Sequence, residues 1–145
     1  MYKTLAFIYD HRYYRFKDKI YSSGAFEVHT WERFLSSFDN LIVFGTLIDA
    51  SKDDVKNLNI VSDKNVKFIH IEYVNSSLSN FIKNIFFHNS TILNNINQID
   101  AMVVRFPGSL SFNAYRIAKK NSIPIGIEVV GCPFDAYWNY GGWIS

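Results

Sequence analysis

One cysteine is all the thiol chemistry the chain holds. Cys132 stands alone, so no internal disulfide can form, and a reducing, cytoplasmic setting is the expected one. Long apolar runs are missing too. The run from Thr4 to Tyr9 is too short for a signal-peptide core, and nothing approaches the roughly 20 apolar residues of a spanning helix. Charge of one sign is also scarce: 15 Lys and Arg against 13 Asp and Glu leave a net charge of +2, too little to make nucleic acid the main partner. Glycine-rich phosphate loops do not occur. No G-x-G-x-x-G follows the first apolar run and no G-x-x-x-x-G-K-[ST] is found, which disfavours NAD and P-loop ATP binding. His11, His29, His70 and His88 lack metal-ligand spacing, so no zinc site is expected. The acceptor triplets at Asn75 and Asn89 read as chance matches in an Asn-rich chain without a secretion signal.

What the chain does have is material for a core. Hydrophobic residues make up 48% and aromatics 17% of 145 residues, which fits one folded domain over residues 1–145. Continuous apolar runs predict buried strands at Thr4–Tyr9, Leu41–Leu47, Val66–Ile71, Ala101–Phe106 and Ile123–Val130. Between them lie helical stripes. Trp31, Phe34, Leu35 and Phe38 predict a helix over Phe26–Phe38. Leu78, Phe81, Ile82, Ile85 and Phe86 predict another, with Ser76 or Ser77 as its cap, and Leu110, Ala114, Ile117 and Ala118 a third, capped by Ser109. Ser90–Ile96 reads as a short further helix, and Asp49–Asp63 as a short helix or surface excursion. Asp10–Ala25 reads as a long loop, of a length uncommon without a function. Strands alternating with helices predict an α/β fold: a Rossmann-like three-layer sandwich whose five parallel strands run in the order 3-2-1-4-5, with helices on both faces.

In that topology the switch point falls between strands 1 and 4, where open α/β sheets build their sites. The Asp10–Ala25 loop, the Pro107-Gly108 turn and the Glu128–Asp135 loop would all open there. Ser22-Ser23-Gly24 offers backbone amides to an anion or a sugar hydroxyl, or is simply a flexible helix entry. Arg105 and Glu128 end neighbouring strands, where they would hold a ligand or merely pair with each other. The cluster His11-Arg12-Tyr13-Tyr14-Arg15-Phe16 suits sugars, phosphates or lipid headgroups, or is a solvated loop with its rings tucked onto the core. Cys132 reads as a small structural residue. Tyr137, Trp138, Tyr140 and Trp143 crowd the carboxyl end, as a partner or membrane surface, as residues packed back on the sheet, or as residues that belong against a second half outside the chain.

The stretch RFPGSLSFNAYRIAKKNSIPIGIEVVGCPFDAYWNYG resembles the end of the amino-terminal domain of bacterial family 4 glycosyltransferases of the GT-B fold, of the capsule and surface-polysaccharide kind. Arg105-Phe106-Pro107, Glu128-Val129-Val130-Gly131 and Pro133-Phe134-Asp135 carry the likeness. Ser23-Gly24-Ala25-Phe26 and Trp31-Glu32-Arg33-Phe34-Leu35 resemble the family's early loop and first helix. The resemblance implies an acceptor-binding domain, with a nucleotide-sugar donor bound by a carboxyl-terminal domain. That second domain's E-x7-E pattern does not occur here, where Glu stands only at positions 27, 32, 72 and 128, and Cys132 departs from the usual acidic residue. On this reading Arg12, Ser23, Gly24, Arg105, Glu128 and Asp135 bind a glycan or lipid-linked acceptor. The domain itself is expected to take no cofactor and no metal, and to make peripheral contact with the inner face of the plasma membrane. The isolated chain is expected to be inactive, because the donor domain lies outside it. Two rival readings are a stand-alone subunit that recruits a donor-binding partner, and a flavodoxin-like small-ligand domain.

Overall fold

A computed structural model describes residues 3–24, 26–72 and 89–130. The fold is α/β, built on one mixed sheet of seven strands with few helices. The strands are β1 (Thr4–Phe16), β2 (Lys19–Ser22), β3 (Asn40–Asp49), β4 (Asn59–Ile60), β5 (Val66–His70), β6 (Ala101–Phe106) and β7 (Ile125–Val129). β1 pairs in parallel with β3 on one side and with β6 on the other; β5 extends the first side and β7 the second, both parallel. Read across, β5-β3-β1-β6-β7 matches the order expected for the five apolar runs.

The expected Asp10–Ala25 loop is not a loop. β1 continues through Phe16, turns at Lys17 and Asp18, and returns as β2, which pairs antiparallel with β1 and with β4. Lys17 takes the left-handed conformation (φ 52°) that this tight turn needs. The sheet is therefore mixed and two strands wider than the parallel core. The Asp49–Asp63 excursion supplies β4.

The helix expected over Phe26–Phe38 is also shorter than its stripe. A 3-10 turn at Val28–Thr30 is followed by α1 (Glu32–Leu35). The Val-His-Thr run has low helix propensity, and Glu27 and Thr30 close a reciprocal capping box around the 3-10 turn. The stripe still does its job: Trp31 is fully buried and Phe34, Leu35 and Phe38 pack beside it. Residues 89–94 are helical, as expected. α2 (Ser109–Lys120) buries Leu110, Ala114, Ile117 and Ala118, the expected face. The helix expected over Leu78–Phe86, and Cys132, Asp135 and the aromatic residues beyond, lie outside the described residues.

Two cores cover the two faces of the sheet. On one, Ala6, Ile8, Ile42, Phe44, Met102 and Val104 pack against α2 and Ile92. On the other, Leu5, Phe7, Leu41 and Val43 meet an aromatic cluster of Phe26, Trp31 and Tyr13. The Trp31 indole N–H donates to the Val61 carbonyl at 2.8 Å, which fastens the chain around β4 to this face. The connection from β1 to β3 thus carries its helix on one face, and that from β6 to β7 carries α2 on the other.

Between Ile8 and Arg12 the pairing of β1 with β3 slips: Ile8 faces Phe44 and Arg12 faces Thr46, so Tyr9, Asp10 and His11 stand opposite Gly45 alone. Such bulges bend a strand and re-aim its side chains. Gly45 is required here, because a Cβ would lie 2.6 Å from the Tyr13 ring and 3.0 Å from the His11 carbonyl.

The Tyr13 hydroxyl is buried with no hydrogen-bond partner among the described residues. Tyr13→Phe is therefore expected to leave stability unchanged or raise it by up to about 1 kcal/mol. Trp31→Phe, which strips the Val61 carbonyl of its indole donor, should cost about 1–3 kcal/mol. Urea unfolding of the two variants against the parent checks both signs.

Candidate functional site

β1 and β6 stay paired from Leu5/Ala101 to Ile8/Val104 and then part. The bulge carries β1 toward β2, while Arg105 and Phe106 stay with β7, opposite Glu128 and Val129. Ser111, in the first turn of α2, closes the fork. Its buried hydroxyl donates to the Arg105 carbonyl at 2.7 Å and lies 3.3 Å from that of Ile8. Asp10, on the bulge, caps α2: its carboxylate accepts the Leu110 N–H at 3.1 Å and the Ser109 hydroxyl at 3.3 Å. Ser109 was expected to cap this helix and instead donates to the residue that does. The N-cap position is Gly108, where a Cβ would collide with the Asp10 carboxylate.

Arg105 and Glu128 meet in register. Arg105 Nε donates to Glu128 Oε2 at 3.0 Å, and Arg33 Nη2 of α1 reaches Glu128 Oε1 at 2.8 Å. The Arg105 guanidinium lies over the rings of Phe26, Tyr9 and Phe7, at 4.9, 5.4 and 5.6 Å from their centroids. His11 stacks on Tyr9, and its Nε2 is 2.7 Å from the Ser22 hydroxyl. The Ser22 hydroxyl also lies 3.1 Å from the Ser23 carbonyl. Burial, and then the nearby Arg105 charge, hold the imidazole below its ordinary value. A neutral imidazole at this edge can accept a proton.

Arg12 and Ser23, both exposed, come together in a cavity of about 410 Å³ that is also lined by Asp10, His11, Tyr14 and Thr46. Gly24 takes φ 76°, which favours glycine, and its carbonyl accepts the Asn59 amide at 3.0 Å. Of the six expected acceptor-binding residues, the fold thus gathers Arg12 with Ser23 and Arg105 with Glu128. His11 borders both pairs: it lines the cavity and feels the charge of Arg105. Asp10, Tyr9 and Arg33 were not singled out as site residues in the sequence, and Ser22 only through its backbone amide. The position of Asp10 at a strand end opposite a Gly-Ser helix start was the available signal. Among the described residues no three His, Cys, Asp or Glu side chains gather as a metal site, and no helix is long and apolar enough to cross a membrane.

No protein-family model matches the chain. It is 33% identical over 141 residues to Protein CapJ of Staphylococcus aureus, an alignment covering 94% of this chain and 34% of CapJ; the chain spans about a third of that relative's length. Among solved structures, the C-terminal domain of a hydrogenase from Pyrococcus furiosus aligns with a TM-score of 0.44 at 8% identity, over 87% of this chain and 91% of that one. A likeness that slight carries no argument.

Two measurements probe this edge. Asp10→Ala removes the cap of α2 and is expected to cost about 1–2 kcal/mol in chemical unfolding. The pH dependence follows from His11. Unfolded, it takes a proton below about pH 6.5; folded, it resists until lower pH. Its contribution to stability is therefore full above that pH and is lost as the pH falls. His11→Gln should flatten the slope between pH 7 and pH 5. His29, whose exposed pairing with Glu32 shifts it the opposite way, is common to both proteins and cancels.

Proposed function

We propose that the chain is the acceptor-side domain of a glycosyltransferase, one that moves a sugar from a nucleotide-sugar to a polysaccharide or lipid-linked glycan during capsule synthesis. The observation that carries this reading is the fork between β1 and β6, whose open edge joins an aromatic side chain to hydrogen-bonding charged groups. Half-buried Tyr9 supplies the ring, with Phe26 buried behind it, and Arg105, Glu128 and His11 supply the polar groups. Aromatic faces stacked near charged hydrogen-bonding groups suit polyhydroxylated ligands. The parallel order β5-β3-β1-β6-β7, with helices leaving on opposite faces of the sheet, fits a Rossmann-like domain of GT-B type. The likeness to Protein CapJ fits a place in capsule synthesis, and its greater length leaves room for a donor-binding domain.

In this reading the Ser23-Gly24 loop and Arg12 contact the acceptor beside the reacting hydroxyl, and Arg105 and Glu128 orient it from the strand ends. Asp135 is a further acceptor contact. The domain itself takes no cofactor; the nucleotide-sugar sits on the partner domain. Work at the cytoplasmic face of the membrane follows from a lipid-linked acceptor, with Arg12, Arg15, Lys17 and Lys19 as the basic groups of the β1–β2 hairpin. A second reading, a subunit that recruits a separate donor-binding partner, is favoured by the apolar side chains of Ile127 and Val129 on β7, which are 53% and 63% exposed.

Calorimetric titration separates these. The chain is expected to bind capsule oligosaccharides, to lose roughly tenfold in affinity on Glu128→Gln, and to give no heat with nucleotide-sugars. Tight nucleotide-sugar binding by this chain would overturn the acceptor assignment.

A further inference from the structure

We infer that the Arg33–Glu128–Arg105 cluster is a receptor for an oxyanion, a phosphate or carboxylate carried by the acceptor. This rests on the acceptor reading and adds the charge of the ligand to it. Two guanidinium groups share one carboxylate, so the cluster holds one positive charge in excess. Arg105 spends only Nε on Glu128, and its two Nη groups make no hydrogen bond among the described residues. Its side chain is 18% exposed and walled by Phe7, Tyr9 and Phe26, rings that attract a cation without neutralising it.

Among the neighbours, Asp10 keeps its charge but directs its carboxylate to the start of α2, and burial with the Arg105 charge holds His11 toward its neutral form. Ser22 meets His11 from β2 and carries no charge. A guanidinium whose Nη edge is free and whose surroundings exclude water is shaped for bidentate capture of a carboxylate or phosphate. A plain structural ion pair needs only one of the two arginines. The second over-neutralises Glu128, and an incoming anion would restore the balance.

The test is titration of the 145-residue chain, followed by NMR at Arg105 Nε, with glucose, glucose 1-phosphate, glucuronate and inorganic phosphate at low and high salt. Both charged sugars are expected to bind at least tenfold more tightly than glucose, with the advantage shrinking as salt rises. The stronger of the two identifies the anion as phosphate or carboxylate. Arg105→Lys should remove roughly tenfold of the charged-sugar affinity. Arg33→Gln, at a half-exposed position, should weaken charged sugars several-fold more than glucose. It decides the matter if the Arg105 variant fails to fold. Equal binding of charged and neutral sugars, or charged-sugar binding indifferent to both variants, sinks the inference and spares the acceptor reading. Inorganic phosphate binding as well as glucose 1-phosphate, with no contribution from the sugar, keeps the oxyanion site and withdraws the acceptor reading.

Discussion

Where β1 leaves β6, two strand ends diverge over the start of a helix, and the organisation of the carboxyl edge depends on how that fork is held. Ser111 and Asp10 hold it. One hydroxyl reaches the carbonyls of both strands, and one carboxylate, delivered by the bulge, satisfies the helix amino terminus. Both anchors belong to different elements from the groups they serve, so the fork is rigid only in the assembled fold. The bulge in turn depends on Gly45, whose missing side chain makes room for Tyr13 and for the backbone at His11. Small residues at two places, Gly45 and Gly108, thus let β1 swing away and still cap α2.

The parallel framework was legible because each buried strand is a continuous apolar run bounded by charge or a turn, and right-handed crossovers leave few orders for such runs. The hairpin was not. Its turn is Lys17-Asp18, with none of the glycine that marks a two-residue turn, and its first arm mixes Arg12 and Arg15 with aromatic residues. Only Tyr13 of that arm is deeply buried, which leaves no clean alternation to read. Around Trp31 the buried face was legible and the extent of helix was not. The stripe recorded which side meets the core, while Val28, His29 and Thr30 favoured a capped 3-10 turn over a long helix.

At the site, the same contrast has a simple cause. Arg105 and Glu128 could be paired from sequence because each closes an apolar run and the strand order makes the runs neighbours. Arg33 and Asp10 could not, since the first reaches Glu128 from a helix on one face and the second reaches Leu110 across the whole domain. A single sequence carries local periodicity well and carries contacts between distant polar groups hardly at all.

Stability alone gives no reason for the charge imbalance at this edge. A partly buried ion pair roughly breaks even against an apolar pair of similar volume, because removing two charges from water costs about what their attraction returns. Adding Arg33 to an already paired Glu128 contributes the small amount typical of half-exposed ion pairs. It also leaves Arg105 less fully neutralised, with the aromatic wall limiting the water that could screen it. Below about pH 6.5 a cost appears in His11, whose protonation is opposed both by burial and by that same guanidinium. An edge built this way, beside a cavity lined by Arg12 and His11, would suit the external anion proposed for it. The fork, the aromatic wall and the surplus charge are therefore one arrangement: the first opens the sheet edge, the second dries it, and the third sets the sign of what it would hold.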